Sequence, residues 1–324
     1  MKQPLESSKK QTILALQPLL PDEMGVLDQH FEVIRLWECA KPDQVIHDNR
    51  GRICGVLSTY NSGGVSARLI DVLPNLEIIA QFGVGYDNID LEAAHRRNIY
   101  VTNTPDVLTD DTADVAMYLM LNVARRAVEA DMFVRVGRWQ NGAMPLSTSL
   151  SGKTVGIVGL GKIGRAIAKR AEAFNTQIIY NGRAQKAGVD YPFYDDLSAL
   201  ARAADFLVLA CAGGPETEHL IDYKILEALG PYGYLINIAR GSVVHEEDLV
   251  LALHNKKIAG AGLDVFADEP YVPKEMIKMD NVVLSPHVGS ATHETRSAMG
   301  QLVINNFLAH FNGNPLITPV KLAS

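Results

Sequence analysis

The sequence predicts an α/β protein with doubly wound parallel sheets, and three features of its 324 residues support this fold class. Short apolar runs alternate with helical segments along the whole chain. Most of these runs are continuously apolar, as strands covered by helices on both faces must be. Several of them end in glycine-containing loops, which is typical of the carboxyl edge of such sheets. The length suits one large domain or two domains of ordinary size.

The first hundred residues are predicted to form a small α/β unit of their own. The run 76–80 (LEIIA) reads as a buried parallel strand that ends in the loop Gly83-Val84-Gly85, and a short helix follows over 90–97. Ligands bind at the carboxyl ends of strands in open α/β sheets, so this loop is a candidate binding element. The five predicted strands are 12–16, 33–36, 54–58, 76–80 and 100–102.

Helical periodicity dominates the segment that begins at Thr109, after Thr104-Pro105 breaks the strand pattern. The stretch TDDTADVAMYLMLNVARRAVEADMFVRVGRW predicts a long helix with capping residues at its start. A polar loop around Pro145 then leads into a second set of apolar runs, separated by helical segments. The six predicted strands of this set are 155–158, 177–180, 206–210, 234–238, 261–264 and 282–285.

A last amphipathic helix is predicted over 292–311. The first set of strands has no closing helix of its own, so we expect this helix to return to it. The predicted domains are therefore 1–103 together with 290–324, and 104–289.

Composition excludes several classes of protein. The formal net charge of −7 argues against nucleic acid or an anionic membrane as the main partner. The three cysteines, Cys39, Cys54 and Cys211, lack metal-ligand spacing and fit a reducing compartment, and we predict no metal site. The polar N-terminus lacks the apolar core of a signal peptide, and no apolar helical segment is long enough to span a bilayer. We expect a cytoplasmic protein.

A glycine motif carries the clearest functional signal. Residues 153–164 read KTVGIVGLGKIG, which places Gly159, Gly161 and Gly164 at the spacing G-x-G-x-x-G between a strand and a helix. The first glycine permits a tight turn, the second lets phosphates approach the backbone, and the third lets the helix pack close to the strand. A helix N-terminus adds N–H groups and partial positive charge. The motif predicts a Rossmann-type dinucleotide site; a purely structural turn is the alternative.

The end of the second strand predicts which dinucleotide is preferred. NAD-specific sites usually carry Asp or Glu there, about 20 residues past the glycines, to bind the ribose 2′-hydroxyl. Here the segment reads Tyr180-Asn181-Gly182-Arg183. A guanidinium can bind the 2′-phosphate that a carboxylate would repel. We therefore predict NADP(H), with NAD(H) possible, and Asn181 and Arg183 as phosphate contacts with help from Lys186; the alternative for Arg183 is a solvated surface charge.

Three titratable or charged residues follow three later strands. Arg240 follows YLINI, Glu269 lies in DVFADEP, and His287 follows NVVLS. Their strand ends are expected to meet the glycine turn at one sheet edge. Arg240 can hold a 2-keto carboxylate and polarise the carbonyl, and His287 can exchange a proton with the substrate oxygen. Glu269 can orient the imidazole and stabilise its protonated form. The alternatives are a core histidine, a structural ion pair and a plain turn.

Six motifs in order make the chain resemble a known family: FGVGYDNID, TPDVLTDDTAD, GKTVGIVGLGKIGRAIAKR, INIARGSVVHEEDL, AGLDVFADEP and LSPHVGSAT. The chain is similar to the D-isomer-specific 2-hydroxyacid dehydrogenases and, among them, to the glyoxylate/hydroxypyruvate reductases. The resemblance is clearest from Leu76 to His293.

The resemblance implies roles for individual residues. The Arg–Glu–His set of the family falls on Arg240, Glu269 and His287, and its substrate-loop amides fall on Val84 and Gly85. Substrate binding is assigned to Val84, Gly85, Arg240, His287 and Ser290. The implied cofactor contacts are Thr109, Gly159, Leu160, Gly161, Lys162, Ile163, Gly164, Asn181, Arg183, Cys211, Pro215, Thr217, Ile238, Ala239, Asp264 and His287.

The resemblance also implies two Rossmann-like or flavodoxin-like lobes, a discontinuous substrate domain, an active-site cleft between the lobes and a homodimer. Trp139 and Met144 precede the glycine strand and are interpreted either as an anchor at a dimer interface or lobe junction, or as determinants of pocket size. His245 departs from the family, which often has Asp there, and we expect only a local change from it.

The predicted function is NADPH-dependent reduction of small 2-keto acids to D-2-hydroxy acids, with glyoxylate and hydroxypyruvate as substrates and 2-ketogluconate as a longer candidate. Two alternatives stay open. One is an NAD-linked dehydrogenase of the same family, of the D-lactate or phosphoglycerate type. The other is a dinucleotide-sensing binding protein on the same fold, without enzymatic activity.

Overall fold

The computed structural model describes residues 10–321. Within these residues the chain divides into two compact units. The first unit takes residues up to Leu108 together with those from Thr292 onward, and the second unit runs from Thr109 to Ala291. The sequence-based boundaries were placed after residues 103 and 289.

The first unit contains a five-stranded parallel sheet in the order β2-β1-β3-β4-β5. This is the flavodoxin-like order, in which the chain changes direction across the sheet next to its first strand. The strands are β1 Thr12–Ala15, β2 Glu32–Arg35, β3 Ile53–Thr59, β4 Ile78–Phe82 and β5 Tyr100–Thr102. The helices between them are α1 Pro21–His30, α2 Pro42–Asn49, α3 Ala67–Val72 and α4 Leu91–Arg96.

The second unit contains a six-stranded parallel sheet in the order β11-β10-β9-β8-β6-β7. The strand order reverses at β6, so the crevice for a ligand opens beyond the carboxyl end of this strand. The strands are β6 Thr154–Val158, β7 Gln177–Asn181, β8 Phe206–Leu209, β9 Tyr234–Asn237, β10 Gly260–Leu263 and β11 Val282–Leu284. The helices are α5 Thr109–Arg125, α6 Ala127–Arg135, α7 Lys162–Glu172, α8 Leu197–Ala203, α9 Tyr223–Leu229, α10 Glu246–His254 and α11 Lys274–Ile277.

The last helix, α12 His293–Phe311, belongs to the first unit and packs against α1 and β4. Thr292 caps it, because its hydroxyl accepts the Thr295 N–H at 3.2 Å. Phe307 is fully buried, and its ring meets that of Phe31 edge-on at 5.9 Å between centroids. The predicted α/β fold with two parallel sheets is confirmed. No helix of residues 10–321 has both the length and the apolar character to cross a membrane.

The predicted long helix after Thr109 is wrong in one respect, because the structure breaks it at Arg126. Arg126 has left-handed backbone angles, φ +53° and ψ +42°, between α5 and α6. The carbonyl of Ala124 accepts the N–H of Thr148 at 2.9 Å, whereas a continuous helix would give that carbonyl to Val128. A contact with a residue far along the chain therefore ends α5, and helical periodicity alone does not reveal it.

Candidate active site

The glycine turn after β6 has the geometry that a phosphate cradle requires. Gly159 has φ +95°, and an added Cβ there would come within 2.7 Å of the Cys211 backbone. At Gly164 an added Cβ would lie 2.3 Å from the Gly159 carbonyl oxygen. At Gly161, by contrast, a Cβ would meet no atom of the described chain within 4 Å. The fold itself requires the first and third glycines, whereas the second leaves space open to a ligand.

The start of α7 supplies donors beside this open space. Arg165 makes the first backbone bond of the helix, from its N–H to the Gly161 carbonyl at 2.9 Å. Within residues 10–321 the N–H groups of Ile163 and Gly164 donate to no acceptor. Free N–H groups at a helix N-terminus and a glycine without a side chain fit the pyrophosphate of a dinucleotide. Of the other predicted contacts in this turn, Leu160 is buried and Lys162 is exposed.

The two residues predicted to bind a 2′-phosphate, at the end of β7, have different surroundings. The side-chain amide of Asn181 donates to the carbonyls of Tyr194 and Asp195, at 2.8 and 3.3 Å. Both donors of this amide are therefore engaged within the protein, and Asn181 as a phosphate contact stays a prediction. Arg183 is exposed and makes no ion pair within the described part of the chain.

Other predicted cofactor contacts follow β8 and β9, on the β8 side of β6 in the sheet. Cys211 is half-buried, and burial raises the pKa of its thiol to about 11, so it stays neutral near pH 7. Pro215–Thr217 form a short 3-10 helix, in which the Thr217 hydroxyl donates to the Ala212 carbonyl at 2.8 Å. Ile238 and Ala239 are buried directly after β9. Thr109 is the first residue of α5.

The loop that carries Arg240 is fixed by the last residue of β9. The side chain of Asn237 donates to the Arg240 carbonyl at 2.9 Å and accepts the Ala239 N–H at 3.0 Å. A Cβ added at Gly241 would lie 1.9 Å from the backbone of Phe266. The Arg240 loop therefore packs backbone against backbone on the loop that leads to Glu269, and only glycine fits there.

Glu269 and His287 form the predicted pair. Oε2 of Glu269 lies 2.7 Å from Nδ1 of His287, and Oε1 accepts the Phe266 N–H at 3.1 Å. Their side chains are 12% and 27% exposed, so water screens the pair only in part. A carboxylate only accepts hydrogen bonds, so an N–H at Nδ1 points to Glu269, and Nε2 is the other ring nitrogen through which a proton can be exchanged.

Sequence reasoning missed how the loop of His287 is held. His287 itself has a left-handed backbone, φ +52°, which is uncommon for a residue other than glycine. Buried Asp264 accepts three backbone N–H groups from this loop: His287 on its carbonyl at 2.8 Å, and Val288 and Gly289 on its carboxylate at 2.9 Å each. These three bonds hold His287 in its strained backbone conformation. Strained conformations that are held in this way are typical of functional sites. The signal in the sequence was the aspartate at the end of an apolar run.

Two contacts from α5 reach the same loop. The Thr112 hydroxyl donates to the Gly289 carbonyl at 2.9 Å. The Tyr118 hydroxyl donates to the hydroxyl of buried Ser285. Burial raises the pKa of the Tyr118 hydroxyl, so this group keeps its proton. Ser290, the predicted substrate contact in this loop, is half-buried.

The predicted substrate loop of the first unit carries unused polar groups. Val84 and Gly85 are half-buried, and their N–H groups donate to no acceptor in residues 10–321. The loop is held by its carbonyls, because Thr104 N–H donates to Gly83 at 2.9 Å and the Asn103 side chain donates to Val84 at 2.8 Å. A loop that binds an anion needs N–H groups that are free to donate and a backbone that is held in place, and this loop has both.

Three other residues that the sequence singled out lie outside the segments described above. Trp139 is 67% exposed in the segment after α6, and Met144 is half-buried in the loop that follows. His245 immediately precedes α10, where its Nδ1 lies 3.2 Å from Asp248 and its ring meets that of His219 edge-on at 4.7 Å. One contact of His245 is therefore within the first turn of α10, and the other is with a residue that precedes α9.

The sequence of this chain is similar to those of known enzymes. The family model for the NAD-binding domain of D-isomer-specific 2-hydroxyacid dehydrogenases matches residues 117–289. Glyoxylate/hydroxypyruvate reductase A HPR2 of Arabidopsis thaliana is 46% identical over 308 residues, which are 95% of this chain and 98% of that protein. Hydroxyphenylpyruvate reductase of Plectranthus scutellarioides is 48% identical over 294 residues, 91% of this chain and 94% of that protein.

A solved structure extends the likeness to three dimensions. The NADPH-dependent glyoxylate/hydroxypyruvate reductase SmGhrB of Sinorhizobium meliloti, in complex with NADP and malonate, matches with a TM-score of 0.91 at 43% identity. The match covers 98% of this chain and 100% of that one. The protein is therefore an oxidoreductase, and the chain belongs to the D-isomer-specific 2-hydroxyacid dehydrogenase family, on its glyoxylate/hydroxypyruvate reductase branch.

Proposed function

We propose that this protein is an NADPH-dependent reductase of small 2-keto acids, with glyoxylate and hydroxypyruvate as substrates and 2-ketogluconate as a longer candidate. The observation that carries the proposal is the Glu269–His287 pair, joined at 2.7 Å beyond the carboxyl ends of β10 and β11. Relatives that are named as reductases of 2-keto acids support the reaction class. The products are D-2-hydroxy acids.

In this proposal Arg240 binds the substrate and polarises it. Its planar guanidinium matches a carboxylate through two parallel hydrogen bonds and remains charged at any working pH. A cation beside the carbonyl stabilises the negative charge that develops on oxygen, and losing such a donor costs about 2.7–4 kcal/mol of transition-state stabilisation. The N–H groups of Val84 and Gly85 are proposed to bind the same substrate carboxylate.

His287 is the proposed proton donor. Bound NADPH supplies the hydride to the carbonyl carbon. Nε2 of His287 gives its proton to the carbonyl oxygen, and the ring returns to the protonated state from solvent. Glu269 holds the ring through Nδ1 and stabilises its positive charge before the transfer. A positioned general acid contributes about 10²- to 10⁴-fold to the rate.

A panel of 2-keto acids tests the function directly. We expect turnover of glyoxylate and hydroxypyruvate with NADPH, measured by loss of absorbance of the reduced nicotinamide. Absence of turnover with every 2-keto acid, while NADPH still binds, would contradict the proposal and favour a dinucleotide-sensing protein.

Arg183 carries the proposed preference for NADPH over NADH. It is exposed just beyond β7 and unpaired within the described residues, and β7 ends in Asn181 rather than in a carboxylate. Arg183→Ala is expected to raise KM for NADPH by about 10-fold, the value of one charge-assisted contact, and to leave KM for NADH within about twofold. Steady-state rates with both cofactors provide the measurement.

Arg202→Ala is a matched control, because this exposed arginine pairs with Asp196 on α8, outside the proposed cofactor site. Equal effects of Arg183→Ala on both cofactors would show that Arg183 does not touch the 2′-phosphate. A wild-type preference for NADH would reject NADPH as the main cofactor.

We also propose that the protein is a homodimer whose interface includes α6. All residues of this helix are at least partly exposed. Val128, Met132 and Val136 lie on one face at helical spacing and are 59%, 49% and 55% exposed. Together with exposed Trp139 they form an apolar surface that water disfavours and a partner would cover.

Two charges on this surface test the dimer. The wild type is expected to elute with twice the mass of one chain in light-scattering chromatography, and Val128→Glu/Met132→Glu with the mass of one chain, since charges are costly in an interface core. Tyr232→Glu, at an 84% exposed position in the turn before β9, should stay dimeric. A dimeric double variant would place the interface elsewhere.

A further inference from the structure

Arg296 is a half-buried cation without a counter-ion in the described residues. It is the fourth residue of α12. No carboxylate within the described residues lies within ion-pair distance of it. Glu23, on the neighbouring helix α1, accepts the hydroxyl of Ser297 at 2.5 Å. Arginines are rarely buried unless paired, so this one needs an explanation.

The surroundings of Arg296 increase the cost of its charge. The guanidinium carbon lies 5.4 Å from the centroid of the Phe82 ring, which is itself buried. Burial lowers the pKa of the Arg296 guanidinium, and no neighbouring carboxylate offsets this effect. A cation over an aromatic face recovers only about 0.5–2 kcal/mol. The chain therefore keeps a partly desolvated, unneutralised charge at this place.

The position of this charge links it to the substrate loop. Phe82 is the last residue of β4, and Gly83-Val84-Gly85 follow it directly. Two buried oxygens near this strand end, Gln81 Oε1 and Thr104 Oγ1, also have no hydrogen-bond partner. Buried polar atoms without hydrogen-bond partners, beside N–H groups that are also free, are typical of a site that a bound ligand completes.

We propose that Arg296 is a specificity-determining residue that binds an oxygen-bearing group of the substrate beyond the keto carbon, such as the hydroxyl of hydroxypyruvate or a second carboxylate. This inference rests on the proposed function. There, the amides of Val84 and Gly85 and the guanidinium of Arg240 are already assigned to the substrate carboxylate, which has about four lone-pair sites. A further guanidinium is then available for a different group of the substrate.

The test compares two substrates that differ by one hydroxyl, pyruvate and hydroxypyruvate. Arg296→Met keeps an apolar stem over Phe82 and removes the charge. We expect kcat/KM for hydroxypyruvate to fall about 10- to 100-fold, the value of a hydrogen bond to a charged group, and kcat/KM for pyruvate to fall less than about threefold. The loss should lie mainly in KM, and malonate, a dicarboxylate, should inhibit the variant more weakly than the wild type.

Two further variants make the result specific. Arg296→Lys restores the charge without the planar fork, so it should recover part of the preference for hydroxypyruvate. Arg96→Met removes one charge from an exposed position on α4 of the same unit and should leave the preference unchanged.

Four outcomes would overturn the inference. Equal losses on both substrates would mean that Arg296 acts on the common carboxylate or on the fold. Unchanged kinetics would reduce it to a structural partner of Phe82. A wild type that reduces pyruvate and hydroxypyruvate equally well would reject the subsite but leave the proposed function intact, whereas a wild type that reduces no 2-keto acid would reject both.

Discussion

Replacing His287 by asparagine is expected to lower kcat for keto-acid reduction by about 100-fold or more, the contribution of a general acid. Asparagine is the informative choice because His287 has φ +52°, and asparagine tolerates the left-handed region better than alanine does. The backbone bonds to Asp264 should then survive the change. NADPH binding, measured by fluorescence titration, should weaken far less than kcat falls, since the loop still folds.

The size of the loss in kcat separates proton donation from a structural role. A kcat of His287→Asn within about threefold of wild type would remove His287 from the proposed role.

Glu269→Gln provides the matched control for the partner of the imidazole. Glu269 accepts the Phe266 N–H on one oxygen and faces His287 Nδ1 with the other. Glutamine has one carbonyl oxygen, so it can serve only one of the two, and it cannot stabilise a positive ring. We expect a loss of about tenfold in kcat, smaller than for His287→Asn.

The strands and the three reactive residues could be predicted because each depends on local sequence. A continuous apolar run marks a buried strand, and parallel strands end at a common edge, so residues that follow such runs meet in space. Arg240, Glu269 and His287 indeed follow β9, β10 and β11. Their roles in binding and proton transfer stay predictions.

The remaining features depend on contacts between distant residues. The break at Arg126 follows from the bond between Thr148 and Ala124, which no periodicity reveals. The side chain of Asn181 is engaged by carbonyls at Tyr194 and Asp195, thirteen and fourteen residues later. The left-handed backbone of His287 depends on Asp264, because three backbone bonds to one buried residue compensate for a conformation that histidine alone disfavours.

Replacing Arg240 by alanine is expected to lower kcat/KM for hydroxypyruvate by about 10³- to 10⁵-fold, because two separate effects combine. Loss of the guanidinium removes a charged partner of the substrate carboxylate, a type of contact worth about 2–5 kcal/mol, and this raises KM. It also removes a donor to the developing oxyanion, which lowers kcat by about 10²-fold or more. Steady-state kinetics over a wide substrate range resolve the two.

Arg240→Lys distinguishes charge from geometry at the same position. In this variant the loop keeps the bonds from Asn237 to its backbone and the close approach of Gly241 to Phe266, and it loses the bond from the Arg240 guanidinium to the Ala239 carbonyl at 2.8 Å. Lysine restores the charge but not the planar pair of donors, so we expect it to recover about tenfold of the lost kcat/KM and no more. Full activity would show that charge alone suffices, and wild-type KM and kcat in Arg240→Ala would assign this arginine to the fold instead of the substrate.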